Sequence, residues 1–239
     1  MLVLRTFPSC LLALAWLATA GSALAQEVRP PHMIVTGTGE VAAAPDMAIV
    51  TVAVETNDRK ADVALTKNSE RMAELFRIVG EAGIEEADRQ TRGLGLQTIY
   101  DHQSDRTQPR ILSYRVFNAL TVRVRDLDVL GGLLDQLVTN GANRIDQVRF
   151  TFQDPAPLED LARTAAVEDA LAKARLYADA AGIGLGPILQ MSEAGGFRPQ
   201  ERFFATERAA APAIDVPVAG GELTISAQVN LTIALEQPE

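Results

Sequence analysis

"ELTISAQVNLTIALE", residues 222–236, alternates without a slip: Leu223, Ile225, Ala227, Val229, Leu231, Ile233 and Leu235 stand against Thr224, Ser226, Gln228, Asn230, Thr232 and Ala234. A period of two is that of a β-strand with one apolar and one wet face. Strands of this kind build sheets covered on one side, which implies mostly antiparallel pairing with helices on the apolar face.

The pattern recurs upstream. In "NGANRIDQVRFTFQD" (140–154), Ile145, Val148, Phe150 and Phe152 are apolar, and Gln147, Arg149, Thr151 and Gln153 are polar. "HMIVTGTGEVAAAPDMAIVTVAVET" (32–56) reads as two strands about a Pro45–Asp46 turn, with Val50, Val52 and Val54 on one face of the second. "ILSYRVFNALTVRVRD" (111–126) and "GPILQMSEA" (186–194) read as strands; "RGLGLQTIY" (92–100) does so less strongly, because Gly93 and Gly95 weaken it.

Three helices separate these strands. Between Lys60 and Val79, residues Ala61, Ala64, Leu65, Met72, Leu75, Phe76 and Val79 recur at three- and four-residue steps; Asn57 or Asp58 is placed to cap the start, and Gly80 and Gly83 suit the end. Asp126 caps a second helix bearing Leu127, Leu130, Leu133, Leu134, Leu137 and Val138, and Gly141 stops it. Asp154-Pro155 opens a third, which runs to about Ala181 with ten alanines from Ala156 onward. Small side chains on its buried stripe would let it lie close to a sheet. The class is therefore α+β, in the order β-β-α-β-β-α-β-α-β-β. Residues 46–153 spell the β-α-β-β-α-β order of a ferredoxin-like unit, although order alone does not fix pairing.

The first 25 residues stand apart. Arg5, an apolar run from Leu11 to Ala18 and the small-x-small Ala23-Leu24-Ala25 make a cleavable export signal, with the cut before Gln26. The apolar run is too short to span a membrane as a helix. A polar lead (26–32) precedes one domain, 33–236, carrying a long connection at 195–221. Removing the signal takes away Cys10, the one cysteine, and one arginine; 21 basic against 31 acidic residues then leave a net charge of −10. Such a chain lacks disulfides and the basic field that nucleic acid requires. The signal takes the chain out of the cytoplasm.

Few residues suit catalysis. The histidines are His32 and His102. His102 lies beside Asp101, Asp105 and Arg106 in the polar loop 101–110, a candidate binding loop, but a zinc site needs more clustered nitrogen or sulfur ligands. Asp126, Asp128 and Gly131 match the start of a calcium loop, yet Leu130 and Leu137 stand where oxygen ligands are required. No nucleotide fingerprint or nucleophile elbow is present. No catalytic residue, metal site or cofactor is therefore assigned. Arg115, Arg123, Arg125 and Arg149 lie on wet strand faces, where arginines usually serve solubility, and neighbouring strands could bring them into one patch. In the 195–221 segment, Phe197, Phe203 and Phe204 accompany Arg198, Arg202 and Arg208. That composition suits a protein interface, or else a loop whose phenylalanines fold back on their own core.

Together, the G-x-G-x-V…P-D hairpin (Gly37, Gly39, Val41, Pro45, Asp46), the N-G-A-N-x-I turn (140–145), and the helix with Ala170, Lys173, Ala174 and Ala178 followed by G-x-x-L-G (Gly182, Leu185, Gly186) resemble the SIMPL-domain family. The likeness runs from about Ile34 to Leu235. It implies an exported envelope protein, periplasmic or outer-membrane-associated, linked to stress tolerance and to homo-oligomeric assembly, and it carries no catalytic set. The reading is a non-enzymatic, self-associating periplasmic protein. The alternatives are a small-ligand or peptide binder using the 101–110 loop or a strand edge, and a hydrolase using His102.

Overall fold

The computed structural model describes residues 30–101, 110–195, 200–202 and 219–236. These form two four-stranded antiparallel sheets and three α-helices. The strands are β1 (His32–Ala43), β2 (Met47–Asp58), β3 (Arg89–Asp101), β4 (Arg110–Val124), β5 (Arg144–Thr151), β6 (Gly184–Glu193), β7 (Gln200–Arg202) and β8 (Glu222–Glu236). The helices are α1 (Ala61–Glu81), α2 (Leu130–Thr139) and α3 (Ala156–Ala181).

One sheet has the order β3-β4-β2-β5, every neighbour antiparallel. That is the ferredoxin-like pairing: each helix carries the chain across one strand before it re-enters the sheet. The apolar face of β2 (Ala48, Val50, Val52, Val54) joins Leu120, Val122 and Val124 of β4 beneath Met72, Leu75, Ile78 and Val79 of α1 and Leu130, Leu133, Leu134 and Leu137 of α2. A register shift between Thr51 and Val52 explains the Ile145-x-x-Val148 step: Ile145 pairs with Val52 and Val148 with Val50, so both take the helix side.

The second sheet joins the two ends of the fold. β8 lies between β1 and β6, with β7 pairing to its first residues. The alternation of β8 holds: its odd residues from Leu223 to Ile233 are buried against α3. On α3, Ala162, Ala166, Ala170, Ala174 and Ala178, at four-residue steps, form the buried stripe. They meet Gly37 and Gly39 of β1. A methyl group on Gly37 would overlap the Ala166 carbonyl oxygen and lie 2.5 Å from the Ala170 nitrogen; one on Gly39 would overlap the Ala162 carbonyl and lie 2.5 Å from the Ala166 nitrogen. Helix and strand backbones touch there, and only hydrogen fits between them.

A cluster of hydrogen bonds fastens the two ends of the 46–153 unit to each other, beside the place where the two cores meet. The Asp46 amide donates to the Thr151 carbonyl at 3.3 Å. The Asp46 carboxylate accepts the Gln153 amide at 2.7 Å, and the Gln153 side chain donates to the carbonyls of Asp46 (3.1 Å) and Arg125 (3.3 Å). Arg125 donates from Nε and Nη2 to the buried Asp88 carboxylate at 2.6 and 2.9 Å. Phe150 packs against both cores.

Three details differ from the sequence reading. The 195–221 connection contains the extra strand β7, whose three residues are too few to show a period. Asn57 and Asp58 belong to β2, and the N-cap of α1 is Lys60, which makes no side-chain cap; the Asp58 carboxylate instead accepts the Lys60 amide at 3.1 Å. On α1, Leu65 is exposed while Asn68 is fully buried, its Nδ2 donating to the carbonyls of Val54 (2.9 Å) and Val116 (3.4 Å).

Two measurements check this packing. Gly37→Ala or Gly39→Ala should cost at least ~3 kcal/mol in urea unfolding or abolish folding. Gly132→Ala, in α2 with open space around it, should stabilise by about 0.5–1 kcal/mol. The Arg125 guanidinium holds the Asp88 carboxyl below its ordinary value of 3.8. A carboxyl lowered in the folded state stabilises the fold above its unfolded pKa and loses that contribution as the pH falls through the folded one. Asp88→Asn should therefore be less stable than the parent at pH 7, with the gap closing in acid titrations below about pH 4.

Candidate functional site

Of the candidate binding-loop residues, Asp101 ends β3 opposite Arg110, while His102, Asp105 and Arg106 lie outside the described residues. In the 195–221 segment, Arg202 ends β7 opposite Glu222, and Phe197, Arg198, Phe203, Phe204 and Arg208 lie outside the described residues. His32 begins β1, its Nδ1 3.0 Å from the Pro30 carbonyl. Among the described residues, no three His, Cys, Asp or Glu side chains group closely enough to hold a metal ion.

The four arginines do not form one patch. Arg115 pairs with Glu55 at 3.0 Å and Arg125 with Asp88, whereas Arg123 and Arg149 flank Ile49 on the helix-free face of the β3-β4-β2-β5 sheet.

The surface that stands out is β3, a glycine-weakened strand that turns out to be thirteen residues long and lies at a sheet edge. A strand edge presents unpaired amide and carbonyl groups, and proteins normally blunt it. The other edges here are blunted. On β1, the Thr38 amide donates to Asp169 at 2.8 Å, and Lys173 donates to the Thr36 carbonyl at 3.2 Å, so two α3 side chains occupy edge groups. Edge β6 contains Pro187 and two register shifts. Edge β5 has eight residues and carries the Arg144–Asp146 ion pair, 2.8 Å. Edge β3 has register shifts as well, at Arg92/Leu94 and Ile99/Tyr100, but it contains no proline and runs unbroken between them from Leu94 to Ile99 against Asn118 to Ser113, a stretch without charge.

The side chains reinforce the contrast. Leu94 pairs with Asn118 and Leu96 with Val116, on the face that α1 covers further in, yet they are 62 and 56 % exposed. Tyr100, Ile111 and Leu112, toward the tip of the β3–β4 hairpin, are exposed as well. The sequence held this signal in the apolar-glycine alternation of "GLGLQ", but only the pairing order reveals that the strand is an edge.

These features define a class: a two-sheet α+β domain whose terminal strands are bound by an alanine-striped helix, with one sheet edge left bare by the described residues. The chain belongs to the SIMPL family, described as a protein of unknown function (DUF541), whose model matches residues 33–233. It is similar to a 26 kDa periplasmic immunogenic protein of Brucella melitensis, 38% identical over 227 residues and 90% of each chain. It also resembles the uncharacterized protein YggE of Edwardsiella ictaluri, 31% identical over 183 residues and 76% of each chain. The YggE protein of Escherichia coli is 32% identical over 160 residues, 66% of this chain and 63% of that one.

The family motifs have structural explanations. Gly37 and Gly39 admit α3, Pro45-Asp46 forms the joint, and Lys173 guards β1. In the N-G-A-N-x-I turn, Gly141 takes a positive φ of 132° and Asn143 acts as an added strand residue: its Oδ1 accepts the Glu55 amide at 2.8 Å and its Nδ2 donates to the Glu55 carbonyl at 2.7 Å.

Proposed function

We propose that this chain is a non-catalytic periplasmic protein that works by associating with copies of itself and contributes to the cell envelope's tolerance of stress. The β3 edge, which no other described strand pairs with, carries this reading. Backbone groups at an open edge favour another strand, and the uncharged 93–99 stretch lets a second copy approach although the processed chain's net charge is −10. Antiparallel pairing of β3 with itself is isologous, so each copy's Leu94 and Leu96 lie beside those of its partner. The names of the Brucella relatives, which include "periplasmic", and the export-type leader support the compartment.

Light scattering with size-exclusion chromatography on the processed protein tests the assembly. The parent should elute above monomer mass at tens of micromolar, and Leu94→Lys with Leu96→Lys should return it to monomer with an unchanged circular dichroism spectrum. A monomeric parent, or an assembly indifferent to both lysines, would overturn the reading. Bacteria carrying the double-lysine variant should survive envelope stress less well than those carrying the parent. Intact-mass analysis of periplasmic material should give a chain that begins at Gln26.

A further inference from the structure

The helix-free face of the β3-β4-β2-β5 sheet holds a cavity of about 540 Å³. Its floor comes from pairing register: Ile49 of β2 sits between Arg123 of β4 and Arg149 of β5, and Thr121 of β4 sits beside Gln90 of β3. Arg92 lines the cavity from β3, and the 86–89 turn forms one wall. The two arginines beside Ile49 are separated by two strand spacings, roughly 10 Å between Cα atoms, and their side chains are long enough to close on a ligand between them.

Arg77, Arg115, Arg125, Arg144 and Arg163 each sit on a carboxylate. Arg92, Arg123 and Arg149 form no salt bridge among the described residues, which is also true of Arg59, Arg71 and Arg175; what sets the three apart is that they line one cavity, where Arg123 also helps to hold the Asp88 carboxyl low. Two acids line the same cavity: Asp88 is already engaged through both oxygens by Arg125, and Glu86 remains on the rim. Arg89, also on the lining, turns its Nε to the Ile84 carbonyl at 2.9 Å. Three guanidinium groups around one concavity repel each other until an anion lies among them, and their planar forks match the oxygens of phosphate or carboxylate. The volume is that of a small-molecule pocket, and Ile49 supplies an apolar contact at its centre.

We propose that this cavity binds a small molecule carrying two or more oxyanion groups, with Arg123 and Arg149 gripping them from either side of Ile49 and Arg92 closing the third side. The proposal goes beyond self-association and uses residues other than Leu94 and Leu96, so each can fail without the other.

Isothermal titration calorimetry of the processed protein with pyrophosphate, citrate and inorganic phosphate tests it, alongside flotation with phosphatidylglycerol vesicles. Pyrophosphate or citrate should bind more tightly than inorganic phosphate, and Arg123→Ala with Arg149→Ala should weaken binding at least tenfold while leaving the circular dichroism spectrum unchanged. Arg123→Lys with Arg149→Lys, which keeps charge but loses the fork, should recover only part of the affinity. Arg175→Ala, an exposed arginine on α3, should change nothing. Vesicle binding lost in the double alanine variant would support the site and assign its oxyanion to a lipid headgroup. Absence of binding to every probe, or equal weakening by Arg175→Ala, would overturn the proposal.

Discussion

The structure depends on a contact in which side chains are almost absent. Gly37 and Gly39 bring the backbone of β1 against the backbone of α3, and five alanines at four-residue steps hold the helix at that distance. Such close approach lets dispersion act between main chains, and each small residue is needed because a larger one has nowhere to go. The consequence is topological. β1 comes from the start of the fold and β8 from its end, and α3 lies across both, so a single helix fastens the two ends into one sheet. Without that seat, β1 would lose both its cover and its edge protection.

The rest of the architecture follows from closing the chain this way. The ferredoxin-like unit lies between β1 and α3 in sequence and has its own core; its two ends are fastened to each other around Asp46, Thr151 and Gln153, and Phe150 beside them packs against both cores. That joint is polar and hydrogen-bonded. At this exposed site Gln153 donates to the carbonyls of both Asp46 and Arg125 while its own amide is taken by the Asp46 carboxylate. The P-D and N-G-A-N motifs therefore act as connectors: one sets the entry into β2, the other extends its pairing by one side-chain amide.

Much of the fold was legible in residue spacing because burial on one face leaves a period. β8, β2, the capped start of α3 and the Ala stripe were readable for that reason, and the Ile145-x-x-Val148 step even recorded a bulge. What spacing could not carry was anything created by strand order. Asn68 looks like a surface residue of α1 until its side chain is seen under the sheet, donating to two strand carbonyls. Arg123 and Arg149 are 26 residues apart and become neighbours only because β2 lies between their strands, and Arg115 and Arg125, which belong to the same alternating stretch as Arg123, are withdrawn from the group by Glu55 and Asp88. The proposed surfaces come from this second kind of information, whereas most of the 101–110 and 195–221 candidates fall outside the described residues.

Edges and charges lead to the same asymmetry. An acidic chain can stay apart from its neighbours by repulsion alone, so guarding three sheet edges with side-chain caps, proline and an ion pair matters most if the fourth must stay available. On the open edge the charges stand at the two ends: β3 carries its arginines at 89 and 92, before the uncharged stretch, and its aspartate at 101, after it. Arg92 borders both features, lining the cavity on one face of β3 at the point where the bulge at Gly93 turns the following leucines to the other face. On the proposed reading, that glycine separates two surfaces on one strand. Before it the strand presents a cation to a small anion, and after it an apolar edge to a second copy. A residue with a Cβ would strain the positive φ of 78° at that position and disturb the division between the two surfaces.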